Sequence, residues 1–272
     1  MRFRRGAASA AVLAGLLVAV LAWLVLYPLL VVAADAFRAD VGAVLRSRTE
    51  WAALWGSVWI SVASVGLAAV IGVPLAVLFG RYDFPGRRVL GALMALPAVL
   101  PPLVGVIAFL FLYGESGFVA RAVQALFGLR DAPWRLQGAG AILLVHAYSM
   151  YVYFYLFTRA ALLSLDGSML EAAASLGAGR WRTIRRVVLP LLRPSLGGAA
   201  LLAFMTALAS FSAPYVFGGG FRVMTTQIVA TKLNGDLPTA MVETLALTVV
   251  ALAGYALLRA GEGRRRRCRT PK

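Results

Sequence analysis

Six long stretches without charge, or nearly so, limit what this chain can become. They run over residues 6–34, 51–80, 89–114, 136–158, 194–221 and 237–258, each bounded by charged residues, and the sixth is interrupted by Glu243. A helix rises about 1.5 Å per residue, so about 20 apolar residues cross a hydrocarbon core of about 30 Å. All six are long enough. With 61% hydrophobic and only 14% charged residues, the chain is far from a water-soluble domain, in which about a quarter of residues carry charge. The expectation is an all-α, polytopic membrane protein with six transmembrane helices.

The first stretch follows Arg2, Arg4 and Arg5, and Ala34-Asp35-Ala36 resembles a cleavage site. Its length exceeds the ~7–15 residues of a signal-peptide core, so a retained anchor is expected. Of the 27 basic residues, nineteen fall on the side of the two termini if the spans alternate, and eight on the other. Cytoplasmic loops collect Lys and Arg, so both termini are expected in the cytoplasm. The net charge of +16 is then a matter of topology and of membrane lipid, and nucleic acid is not needed to explain it. Residues 1–50 make an N-terminal span and external segment, 51–260 a core of five spans, and 261–272 a basic cytoplasmic tail.

Several chemistries are excluded or disfavoured. A phosphate-cradling loop needs Gly-x-x-x-x-Gly-Lys-Ser/Thr, and the only lysines, Lys232 and Lys272, follow no such run. One histidine, His146, and one cysteine, Cys268, supply no catalytic pair, no metal cluster and no intrachain disulfide. Glu243 lacks an obvious acidic partner, which speaks against a proton-driven carrier. No cofactor and no enzymatic site is expected.

The longest connection on the arginine-rich side runs over 159–193. Ser168 and Glu171 make an S-x-x-E capping box, Ala172 and Ala173 continue a short helix, and Gly177 is placed to stop it. A second short helix carries Trp181, Ile184, Val187 and Val188 on a 3.6-residue period until Pro190. Two short helices joined at a glycine form a knob suited to the groove of another protein.

Glu171-Ala172-Ala173, three residues to Gly177, nine to Val187, then Val188 and Leu189-Pro190: this pattern resembles the EAA loop of permease subunits of ATP-binding-cassette type I importers. Residues 76–87 and 96–104 are similar to the hairpin between helices two and three of such permeases, and the likeness extends over about 51–258. Ser210-Phe211-Ser212-Ala213-Pro214, Gly218-Gly219-Gly220 and Thr225-Thr226 lean toward ferric iron, thiamine or aminophosphonate members, within a branch that also serves polyamines, other phosphonates and oxyanions. The resemblance implies a permease in the bacterial inner membrane. Its partners would be two ATPase subunits that use the ATP, a second permease subunit (a paralogue or a second copy), and an extracytoplasmic solute-binding protein. It implies ATPase docking and coupling through Glu171, Ala172, Ala173, Gly177, Arg180, Trp181, Leu189 and Pro190. The alternative is a secondary carrier or channel with no partner ATPase.

Plainer roles stand beside these. Glu171 can cap its helix as well as dock, and the loop arginines can face lipid headgroups. Pro97, Pro101 and Pro102 break helix three, as kinked packing or as part of a solute path. Ser210, Ser212 and Tyr215 offer hydroxyls to a path or to their own helix, and Glu243 can sit at the outer interface or line the path. His146 is expected to be a hydrogen-bonded core residue rather than a ligand contact.

Overall fold

The computed structural model describes residues 2–165 and 167–267; Asp166 and the end of the tail with Cys268 lie outside the described residues. For residues 2–10, Leu45, Leu170, Ala174, Arg180 and 261–267 only the backbone is described. Among the described residues there are helices and no strand. In chain order they are α1 (Arg2–Ala36), α2 (Val41–Arg46), α3 (Arg48–Arg81) and α4 (Arg87–Leu93), followed by a 3₁₀ turn at Leu96–Ala98. Then come α5 (Pro102–Tyr113), α6 (Phe118–Phe127), α7 (Gly138–Leu163), α8 (Gly167–Ser175) and α9 (Arg180–Thr183). A π turn at Ile184–Val188 leads into α10 (Leu189–Leu208), and α11 (Ser212–Phe217), α12 (Met224–Leu233) and α13 (Leu237–Arg267) complete the chain.

Six segments are long and apolar enough to cross a membrane, as the charge spacing implies. Two are displaced from the expected stretches. The third span is Pro102–Phe127 rather than residues 89–114, because Pro97, Pro101 and Pro102 each lack an amide donor and the backbone before a proline avoids the helical region. What precedes Pro102 is the short α4 and the 3₁₀ turn. The fifth span is Trp181–Leu208 rather than 194–221. Pro190 does not end a helix there: the Leu189 amide reaches back to Ile184 O, a five-residue π step that leaves Pro190 in the first turn of α10, where no donor is required. At the far end α10 stops at Leu208, and the chain turns before α11.

The three central helices approach closely through small residues. Along α3, Ala68, Gly72 and Ala76 recur every fourth position, and along α10 so do Ala199, Ala203 and Ala207; all six are buried. Lipid tails are as apolar as leucine, so spans associate by close van der Waals packing, which small side chains permit. Both stripes face α7: Met150 and Phe154 pack with Ala68 and the three alanines of α10, and Tyr151 and Tyr155 pack with Ala76 and Phe79. At Gly72 a β-carbon would collide with the carbonyl of Tyr151 and lie 2.7 Å from Phe154 Cβ.

The bundle has two distinct ends. At one, Gly80 of α3 faces Leu162 of α7 and Gly198 of α10 faces Phe157; this end carries α8, α9 and the 82–86 turn. At the other, Gly56 meets the backbone at Arg222, and Ser57 Oγ accepts the Met224 amide at 2.7 Å.

Candidate functional site

The segment between the fourth and fifth spans forms an elbow. α8 begins at Gly167, so Ser168 stands in its first turn rather than at its cap, and the preceding Asp166 is outside the described residues. Its C-terminus closes as a Schellman motif: Gly177 takes φ +70° and the Ala178 amide donates to Ala173 O at 3.0 Å. A β-carbon on Gly177 would meet nothing within 4 Å. Glycine is therefore required by backbone conformation and not by space, and an L-residue held there costs about 1–2 kcal/mol. The Thr183 amide then donates to Gly179 O at 3.0 Å, starting α9.

What the elbow displays is largely apolar. Leu176 is 86% exposed and Trp181 73% exposed on either side of Gly177. Glu171 and Ala172 are exposed, Ala173 is partly covered, Leu189 is exposed and Pro190 partly covered; the side chain of Arg180 lies outside the described residues. Leu176 had no role in the sequence pattern, though its place beside a helix-terminating glycine is a usable signal.

Next to the elbow, Gly86 turns the chain at φ +81° and Arg87 braces the turn. Arg87 Nε donates to Phe79 O at 2.8 Å and its guanidinium pairs with Asp83. Arg159 reaches the Tyr155 hydroxyl at 3.2 Å. Asp83, Gly86, Arg87 and Arg159 line a cavity of about 530 Å³ beside the C-terminal part of α7.

A second feature lies in the middle of the bundle. A groove of about 760 Å³ runs between the proline break and the point where α10 ends, lined by Pro101, Tyr148, Ser149, Thr206, Ser210 and Ser212 among others. His146 stands on its wall. Its Nδ1 is 2.8 Å from Ser64 Oγ on α3 and its Nε2 is 3.0 Å from Ser210 Oγ. The carbonyl of Ser210, freed where α10 stops, accepts from Thr225 Oγ1 at 2.7 Å. Non-helical backbone at membrane depth persists only where such partners exist or where it lines a cavity; both hold here. The structure thus joins Pro101, Ser210 and Ser212 in one groove with His146, which is buried and hydrogen-bonded on both sides, as expected of a core residue.

Tyr215 and Glu243 are elsewhere. Tyr215 is exposed and stacks on Phe211 with ring centroids 5.0 Å apart. Glu243 is fully buried near the end of the bundle opposite the elbow, accepting from Thr231 Oγ1 at 2.8 Å. The expectation that it has no acidic partner is overturned: the carboxyl group of Glu50, in the first turn of α3, stands within hydrogen-bonding reach. Glu50 escaped notice because in the sequence it marks the boundary of the second apolar stretch. Among the described residues no three His, Cys, Asp or Glu side chains gather as a metal site.

A six-span helical membrane protein with an interrupted central groove and an exposed elbow before its fifth span belongs to the class of transport-system membrane subunits. Residues 71–267 match the family described as "Binding-protein-dependent transport system inner membrane component", and the chain belongs to that family, as a multi-pass inner-membrane protein. It is 34% identical to a probable ABC transporter permease protein of Sinorhizobium fredii over 252 residues, 88% of this chain and 44% of that protein. It is 31% identical to a thiamine transport system permease protein of Brucella abortus, over 92% of this chain and 46% of that one. The chain thus spans about half the length of these curated relatives. The fold is that of a bacterial alginate ABC transporter chain solved with a pentasaccharide-bound periplasmic protein: the TM-score is 0.73 over 94% of both chains, at 19% identity.

Proposed function

We propose that this chain is the permease subunit of an ATP-driven importer fed by a binding protein, that it forms part of the solute path, and that it receives work from a separate ATPase through the elbow. The observation that carries this reading is the Schellman-closed turn at Gly177, which presents Leu176 and Trp181 to solvent on a rigid frame. Exposed apolar anchors flanking a fixed turn suit insertion into a partner's groove.

In this reading the elbow and both termini face the cytoplasm, with the division at 1–50, 51–260 and 261–272 separating anchor, core and tail. Two ATPase subunits grip two such elbows, one from this chain and one from a second permease subunit, a paralogue or another copy. ATP is bound and hydrolysed by those partners. A binding protein delivers solute at the opposite end. Closure of the ATPases moves the elbows together and favours the outward-facing arrangement. Coupling requires that the ATP-bound partner bind that arrangement more tightly; equal affinity for both would move nothing. Glu171, Ala172, Ala173, Arg180, Leu189 and Pro190 complete the docking surface. Pro101, Ser210 and Ser212 line the path, with Tyr215 and Glu243 outside the groove as weaker members. For the solute, the likeness to a thiamine permease supports thiamine, with ferric iron, aminophosphonate and polyamine as the other candidates.

A secondary carrier gains from the Glu50–Glu243 pair an acidic site that the sequence did not suggest. The pair lies apart from the groove at His146, so protonation there would not touch a solute in it, and the importer reading is favoured. Copurification decides. The chain expressed with its ATPase is expected to retain it, and Gly177→Asp and Glu171→Lys are expected to lose it and to uncouple ATP hydrolysis from transport. Full coupling in both variants contradicts the docking role.

A further inference from the structure

We infer that Glu50 and Glu243 together form a buried proton-binding site, holding one shared proton that clasps α3, α12 and α13 at the end of the bundle opposite the elbow. Glu243 is 1% exposed. Its Oε1 accepts from Thr231 Oγ1 at 2.8 Å, and Glu50 Oε1 accepts from Gln227 Nε2 at 3.2 Å. The other oxygen of each carboxyl group, Oε2 of Glu50 and Oε2 of Glu243, is buried without a hydrogen-bond partner among the described residues, and the two donors, Gln227 and Thr231, lie one turn apart on the same face of α12, which sets the two carboxyl groups side by side. The neighbouring elements bring no compensating cation. Arg46, Arg48, Arg222 and Lys232 are all exposed, Asp35 is paired with Arg38, and neither glutamate has an ion-pair partner among the described residues.

Two carboxylate anions side by side in a poorly solvated site repel strongly, and neither can donate to the other. One proton between them removes the repulsion and makes a short charge-assisted O–H···O⁻ bond that satisfies both orphaned oxygens. A metal ion fits less well. Only two carboxyl groups gather here, and among the described residues no three His, Cys, Asp or Glu side chains come together to hold a cation. The site therefore takes a proton: Thr231 and Gln227 orient the outer oxygens, and the proton joins the inner ones. The bond links the start of α3 to the start of the last span, with α12 folded over it.

Infrared difference spectroscopy of the full-length protein in membranes at neutral pH tests this. The expected result is a carboxylic-acid C=O band that shifts when glutamate is ¹³C-labelled and is lost in Glu243→Gln. Loss is expected in Glu50→Gln as well, since there the amide donates to an ionised Glu243. Absence of a labelled band in the wild-type protein overturns the site, and this arm needs no variant to fold. A band that persists in Glu50→Gln shows Glu243 carrying its proton alone and overturns the sharing. Loss of the wild-type band on adding calcium or magnesium identifies a metal site instead and overturns the proton clasp.

Discussion

His146 Nε2 lies 3.0 Å from Ser210 Oγ, so the only histidine of the chain ties α7 to the residue at which the fifth span is interrupted. On its other side the hydroxyl hydrogen of Ser64 is committed to Ile60 O at 2.6 Å, which leaves Ser64 Oγ to accept from His146 Nδ1 at 2.8 Å. Along this chain of bonds donation therefore runs in a fixed direction, from the ring through Ser64 to Ile60 O. Ser210 is its outermost member and the only one of the three side chains whose hydroxyl hydrogen can turn either to the ring or into the groove.

Removing the ring breaks both bonds at once. His146→Ala is expected to destabilise the solubilised protein by about 1–3 kcal/mol, the cost of leaving buried polar groups without partners. Ser210→Ala removes only one bond and should cost about 0.5–1.5 kcal/mol. Thermal unfolding in detergent measures both. A His146→Ala protein with an unchanged midpoint would show that the link bears no load.

Gly72 and Gly66 make a matched pair on α3. A β-carbon at Gly72 would lie 2.7 Å from Phe154 Cβ, while one at Gly66 would meet nothing within 4 Å. Gly72→Ala is expected to push α3 from α7 and destabilise by about 1–3 kcal/mol. Gly66→Ala should be neutral or stabilising by up to about 1 kcal/mol, because alanine is the better helix former. Equal melting temperatures in the two variants would contradict the close approach.

The number of spans was legible because charges are costly in hydrocarbon and so mark the boundaries of every span. Where the spans begin was less so. A window of apolar residues does not distinguish a helix from the Pro97 to Pro102 break, and Pro190 reads as a stop unless the π turn before it is known. The elbow's geometry was legible in Gly177. The groove was not, because it is made by Pro101, His146 and Ser210 from three separate parts of the chain, and nothing in their spacing announces that they meet. The same rule that located the spans hid Glu50, since it counts charged residues as markers and takes no account of which other residue they face.

The turn beside the elbow separates a surface ion pair from a structural hydrogen bond on the same residue. Asp83 is almost fully exposed while Arg87 is largely covered, and exposed pairs are worth about 0–1 kcal/mol. Asp83→Asn should therefore change stability by less than about 0.5 kcal/mol. Arg87→Ala also loses the 2.8 Å bond to Phe79 O and should cost about 1.5–3 kcal/mol, as a bond made by a charged group. Salt titration of the unfolding midpoint checks the assignment: the wild-type value should barely move.

At the elbow, folding and docking come apart. Trp181 and Leu176 are largely exposed, so Trp181→Ala and Leu176→Ala should leave the melting temperature of the isolated subunit unchanged. If they are the anchors of an ATPase groove, each truncation costs about 1–2 kcal/mol or more of binding, roughly a tenfold weakening. Gly177→Ala should behave in the opposite sense. It has space but must hold φ near +70°, so the strain of about 1–2 kcal/mol falls on the elbow's own conformation. Part of its population then leaves the docking geometry, and affinity drops in proportion to that fraction. Titrating the ATPase against each variant, alongside thermal unfolding, separates the two. Weakened binding with an intact melting curve for Trp181→Ala identifies a contact residue. An unchanged dissociation constant for both Trp181→Ala and Leu176→Ala would mean that the exposed ridge serves something other than the ATPase.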